Sequence, residues 1–265
     1  MTQAPSPVEL GTVLVSLLDP APGDEVAFHR WYERDHFYAG CMIGPCFFAG
    51  RRFVATRPLK DLRYPARSPV VNDPARGSYL ALYWILAGHH AEAERWAVDQ
   101  VNALIEAERM HALRDPVHAG FYRKRWSHSR DPDGVPAELA LDHPYAGVVM
   151  TMVDRAAGVD ADAIERWYRD KQLPAALPGS PVALCIGLEP IPLPDDAPAY
   201  VERPPGLERR LLLLYFLEAD PRECWTQVFE PQGRLLAEAG LGQVTWALPF
   251  IPTIPGSDRY ADELW

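Results

Sequence analysis

The sequence has no C-x-x-C pair, no H-E-x-x-H motif, no apolar run of eighteen residues and no surplus of positive charge. Each absence removes a class of protein. Cys41, Cys46, Cys185 and Cys224 are scattered, so neither a zinc site nor a disulfide framework is expected, and they read as reduced, buried thiols of a cytoplasmic protein. A formal charge of −10 argues against a broad grip on nucleic acid or anionic lipid, which depends on clustered Lys and Arg. Met1 to Leu10 lacks a basic stretch ahead of an apolar one, so neither secretion nor membrane insertion is expected. Histidine is missing from the later part of the chain: all eight lie at or before His143. What is present is ordinary globular material, 265 residues with 48% hydrophobic and 23% charged, enough for a core that needs no staple.

Its main internal feature is a repeat. A shift of 136 residues lays Gly11–His36 over Gly147–Gln172 without a gap, with Arg30-Trp31-Tyr32 falling on Arg166-Trp167-Tyr168. Further on, YLALYWILA (Tyr79–Ala87) resembles LLLLYFLEA (Leu211–Ala219), each an apolar run suited to a buried strand. Helices are predicted after both runs, over about His90–Met110 and Pro221–Ala239. Further strands are expected near Cys46–Val54, Ala119–Trp126, Val182–Leu188 and Gln243–Leu248, so each half reads β-α-β-β-α-β.

That order is the split βαβ, ferredoxin-like unit, with two helices on one face of a four-stranded antiparallel sheet. The other face would be left bare, so the expected class is α+β, two tandem units packed sheet to sheet as an intramolecular α/β barrel. The boundaries read as a first unit over 11–126, a turn-rich linker over 127–146, a second unit over 147–250 and a tail over 251–265. Thr56–Gly77 and Pro190–Glu208 exceed ordinary hairpin loops and suit lids, binding loops or interface arms.

The segments Trp31-Tyr32-Glu33-Arg34-Asp35-His36 and Gly44-Pro45-Cys46-Phe47-Phe48-Ala49-Gly50-Arg51-Arg52-Phe53 resemble the dimeric α/β-barrel superfamily, and within it EthD-like proteins. That pattern has a proline shortly after the histidine and a Pro-Gly turn. Here Tyr38 replaces the first and Gly44-Pro45 inverts the second, while the second half keeps Pro174 and has Gln172 for the histidine. The resemblance implies a pocket between helices and sheet for a small, often aromatic molecule. Its haem-binding members carry an axial ligand in the later half, where this sequence has no histidine, so no cofactor is expected.

On an ideal helix, at 100° per residue, Ala27, Phe28, Trp31 and Tyr32 share one apolar arc, His36 lies about 40° beyond it, and Asp35 falls inside it, as does Lys171 in the second half. Histidine suits proton transfer near neutrality, so His36 is the candidate acid/base group, with Tyr32 and Asp35 to orient it. Strand alternation places Phe48, Gly50 and Arg52 on one face, where Arg52 could hold an enolate or carboxylate oxygen. Trp31, Phe48, Tyr83, Trp84 and Tyr122 are the candidate pocket walls, although core packing explains each as simply. His89-His90 sits at a strand-to-helix turn and reads as solvent-exposed, and no metal site is expected.

Two functions compete. One is a cofactor-independent enzyme acting by acid/base chemistry on a small hydrophobic, aromatic or polyketide-like substrate, as a cyclase, isomerase, lyase or monooxygenase. The other is a non-catalytic binding or accessory protein for a small hydrophobic ligand. Pairing into a homodimer is left open.

Overall fold

The computed structural model describes residues 8–192 and 206–265. The first half runs β1 (Leu10–Pro20), α1 (Glu25–Trp31), β2 (Phe47–Val54), α2 (Arg57–Lys60), β3 (Tyr79–Leu86), α3 (His90–Glu106) and β4 (Arg114–Ser129). The second runs β5 (Gly147–Arg155), α4 (Ala161–Trp167), α5 (Leu173–Ala176), β6 (Val182–Pro190), β7 (Arg210–Leu217), α6 (Gln232–Glu238) and β8 (Gly242–Pro252). All pairings are antiparallel, and the strands close into a barrel of order β1-β3-β2-β8-β5-β7-β6-β4. Within each half the order is the same, β4-β1-β3-β2 and β8-β5-β7-β6. Closure pairs every strand with a neighbour on each side, though β2 meets β8 only at Phe53 with Pro252 and Val54 with Ile251.

Burial on both faces explains the apolar runs in β3 and β7, since one face lines the barrel and the other meets helices. Register puts Val13, Val15 and Leu17 beside Trp84, Leu82 and Leu80 on the inside. From the second half, Met150, Met152, Leu212, Leu214, Phe216, Ile186 and Leu248 join that core. Trp84 meets Phe216 edge-on across the interior at 6.3 Å, and the two occupy corresponding places in the YLALYWILA and LLLLYFLEA runs.

Several segments that read as connections are structural. Ser127–Ser129 extend β4 along β6, and Ala137, Ala140, Leu141 and Tyr145 are buried, with the Trp84 indole N–H donating to the Ala137 carbonyl at 2.8 Å. The polar linker expected over 127–146 is therefore part strand, part plug. Between β2 and β3, the buried Arg63 guanidinium donates to the carbonyls of Pro74, Ala75, Arg76 and Gly77 and lies 5.3 Å over the Phe250 ring, folding that loop onto the barrel. The tail is tied as well: Leu264 is fully buried, and the Arg57 N–H donates to Glu263 O at 2.7 Å. Most of the loop expected over Pro190–Glu208 lies outside the described residues.

The helix predicted over Pro221–Ala239 is broken into a short turn at Pro221–Glu223, a π-helical turn at Trp225–Phe229 and then α6. Pro231 has no N–H to continue the ladder, which explains the second break. Among the described residues no helix is long and apolar enough to cross a membrane.

Candidate active site

Helix α1 does not end at Trp31; it widens into π-helical turns over Tyr32–His36 and Tyr38–Met42. In π winding the i and i+5 positions become neighbours, as i and i+4 are in an α-helix. Trp31 and His36, five apart, accordingly stack at 4.6 Å with planes 19° apart. The same winding overturns the placement of Asp35 in the apolar arc. Asp35 turns outward and pairs with Arg109, leaving no hydrogen bond to His36. Lys171, on the matching π turn Tyr168–Gln172, is exposed for the same reason.

Five of the nine candidates converge between this helix and the outer face of the first-half sheet: Trp31, Tyr32, His36, Arg52 and Tyr83. The Tyr32 and Tyr83 hydroxyls lie 3.1 Å apart, both buried. Arg52 reaches up from β2 with its guanidinium 4.5 Å over the Tyr32 ring and 5.2 Å over the Tyr79 ring. Its Nη1 makes a 3.4 Å contact with His29 O, its Nη2 is buried without a partner, and no carboxylate lies within 4.0 Å of it among the described residues. Burial lowers its pKa, with the surrounding tyrosines and the more distant Glu33 carboxylate opposing the shift. Burial also lowers His36 to about 4, helped by the nearby positive charges of Arg114 and Arg52 and opposed by Asp35. The imidazole is thus neutral at neutral pH, and its Nδ1 is sealed from water without a hydrogen-bond partner.

The remaining candidates lie elsewhere. Trp84 and Tyr122 point into the barrel, on the opposite side of the sheet from Tyr83. There Tyr122 Oη meets His118 Nε2 at 2.7 Å, and burial, with Arg210 adding to the effect, pushes His118 down to about 4. Phe48 sits at a bulge where Phe47 pairs with Ile85 and Ala49 with Trp84, so Phe47 takes the face shared by Gly50 and Arg52. Phe47 meets Tyr83 edge-on at 6.3 Å, while Phe48 is half-buried against the core.

Sequence reasoning missed Tyr79, His29 and Cys41. Tyr79 was findable, since it shares strand parity with Tyr83. His29, buried with Nε2 2.9 Å from Ser257 O, depends on the tail for its setting and left no local signal.

The equivalent layer of the second half lacks this polarity. Gly187 pairs with Leu213 as Arg52 pairs with Ala81, and the Trp126 indole lies directly against Gly187 where a side chain would stand. Tyr168, Tyr215, Phe229 and Leu236 fill the rest. This packed layer, with Gln172 at the histidine position, does not fit a haem and its axial ligand. The first-half layer is also close-packed: a Cβ on Gly50 would press on Met42 Sδ and lie 2.9 Å from Phe37 Cζ. Surface grooves among the described residues include one of about 320 Å³ bordered by Arg155, Glu165, Glu189 and Arg210, and one of about 660 Å³ bordered by Arg51, Arg222 and Arg259. Neither is lined by His36, Tyr32 or Arg52.

No family model matches the chain, and no curated protein matches it in sequence. Solved structures do resemble it. A protein proposed to be a chlorite dismutase aligns over 97% of this chain and 100% of its own at 11% identity, with a TM-score of 0.55. An anthrone oxidase-like protein aligns over 94% and 95% at 7% identity and the same TM-score of 0.55. A proposed monooxygenase from Fusobacterium nucleatum aligns over 93% and 94% at 8% identity, with a TM-score of 0.50. At such identities the likeness is one of fold, and the chain shares the α/β-barrel architecture of chlorite dismutase-like and monooxygenase-like proteins.

Proposed function

We propose that this protein is a cofactor-independent enzyme that performs acid/base chemistry on a small aromatic or polyketide-like molecule between the first-half helix and sheet. One observation carries the reading: Arg52 is a buried cation among three tyrosine rings, with an unsatisfied N–H and, among the described residues, no carboxylate within 4.0 Å, Glu33 acting on it only from farther away. Burying a guanidinium without a contacting counter-ion costs several kcal/mol, a cost that a site for transient negative charge would explain. An enolate or phenolate oxygen beside Arg52 and the Tyr32–Tyr83 hydroxyl pair would meet donors fixed in advance in a low-dielectric setting.

His36 would take the proton. Its neutral form is the accepting form, and burial disfavours the imidazolium until a negative charge develops nearby. Proton removal and oxyanion formation would therefore reinforce each other. Trp31, stacked on the imidazole, holds the ring plane. Asp35 is assigned no chemistry, since Arg109 engages it. Substrate would enter by displacing the Tyr38–Met42 turn, whose first residue, Tyr38, and following residue, Ile43, are exposed. The α/β-barrel likeness to monooxygenase-like and anthrone oxidase-like proteins agrees with a small-molecule role. In the same reading the two halves are copies of one ferredoxin-like unit, of which the first kept the polar layer.

The test is turnover of aromatic ketone and anthrone-type compounds followed by mass spectrometry. His36→Ala should slow conversion by about two to four orders of magnitude. Saturable binding with no change in ligand mass or isomeric form would instead establish the accessory-protein alternative.

A further inference from the structure

Cys46, His89 and Glu92 bring a sulfur, an imidazole nitrogen and a carboxylate oxygen within 4.8 Å of one another, at the junction of the turn before β2 and the start of α3. We propose that this trio is a binding site for a zinc-type divalent transition metal, separate from the layer around His36.

Three observations support it. The residue types are the borderline-soft set that Zn²⁺ selects, thiolate, imidazole and carboxylate, and three protein ligands leave one position for water. The frame is already built, because the Leu86 N–H donates to Cys46 O at 3.1 Å and the His89 N–H donates to Leu86 O at 3.1 Å. One strand end thereby anchors both the cysteine and the histidine. The side chains are also free to close. His89 and Glu92 are about half exposed, and their contact at 3.0 Å, between Nδ1 and Oε2, is with each other. Tetrahedral arms of 2.0–2.3 Å require ligand atoms roughly 3.3–3.8 Å apart, which rotation of these two exposed side chains supplies.

The charged and titratable groups facing the cluster are Cys46, His89, Glu92 and Arg95. On binding, the S–H bond breaks, a sulfur–metal bond forms and one proton is released, with no change of oxidation state. The thiolate and the carboxylate together balance the dication, leaving the centre neutral. Phe47, next to Cys46 in the chain, lies edge-on to Tyr83, so occupancy would fix one wall of the His36 layer.

The test is titration of the full-length protein with Zn²⁺ and with Co²⁺. One equivalent should bind, with release of one proton, and Co²⁺ should develop a thiolate-to-metal charge-transfer band with tetrahedral visible absorption. Cys46→Ser should abolish the band, and His89→Ala and Glu92→Gln should each weaken affinity at least tenfold. Cys224→Ser should leave both unchanged. Because His89 and Glu92 are exposed, their variants should keep the wild-type circular dichroism. Absence of stoichiometric binding, or binding that survives both Cys46→Ser and His89→Ala, overturns the proposal whatever the fate of the His36 chemistry.

Discussion

Arg52 and His118 make opposite demands on the protein. Arg52 is a buried cation whose aromatic cage offers only partial compensation. Replacing such a charge with an apolar side chain of similar volume is commonly neutral or stabilising by about 1–4 kcal/mol. Arg52→Met is therefore expected to hold or raise the urea midpoint while turnover collapses. Unchanged turnover in that variant would remove Arg52 from the chemistry. His118 responds to pH. Its folded-state pKa, about 4, lies below the ordinary 6.5, so between those values the unfolded chain binds more protons than the folded one. Stability should be full above about pH 6.5 and fall as the pH drops toward 4, by up to about 3 kcal/mol for a fully buried imidazole. Denaturation midpoints measured from pH 7 to pH 4 should show this slope, and His118→Asn should reduce it, leaving the share of His36, whose pKa is lowered in the same way. An identical slope in the variant would assign the loss to other groups.

Local winding decides which side chains meet. The apolar runs of β3 and β7 were legible from sequence because each strand is buried on both faces, and a continuous hydrophobic run is the direct record of that. Arg52 was legible too, since two-residue alternation holds between Gly50 and Val54. Phe48 was not, because a bulge adds a residue without any mark in composition. Asp35 was misplaced because the 100° rule assumes α-winding, and nothing local in Tyr32–His36 announces a π turn. The Trp126–Gly187 contact shows the same limit over long range: a glycine opposite a distant tryptophan has no signature within its own strand. That contact should be expensive to lose. Trp126→Ala is expected to destabilise by about 3–5 kcal/mol, measured by chemical denaturation. A cost below about 1 kcal/mol would mean the second-half layer does not depend on the indole.

At the level of the whole molecule, the two halves complete one cylinder at two seams, β2 against β8 and β4 against β6. A chain ending at residue 146 would bare both seams and the apolar face of Val13, Val15, Leu17, Leu80 and Leu82. Such a fragment is expected to self-associate or precipitate, with size-exclusion chromatography as the check. A well-behaved monomeric fragment would show that closure is not what keeps these apolar faces from associating. The stretch over 137–145 has a further consequence. Since the peptide that joins the halves also stoppers the cylinder, a proteolytic nick there would unseat a cork as well as sever a tether, and two separately expressed halves could rebuild the vessel only if one of them carried that stopper with it.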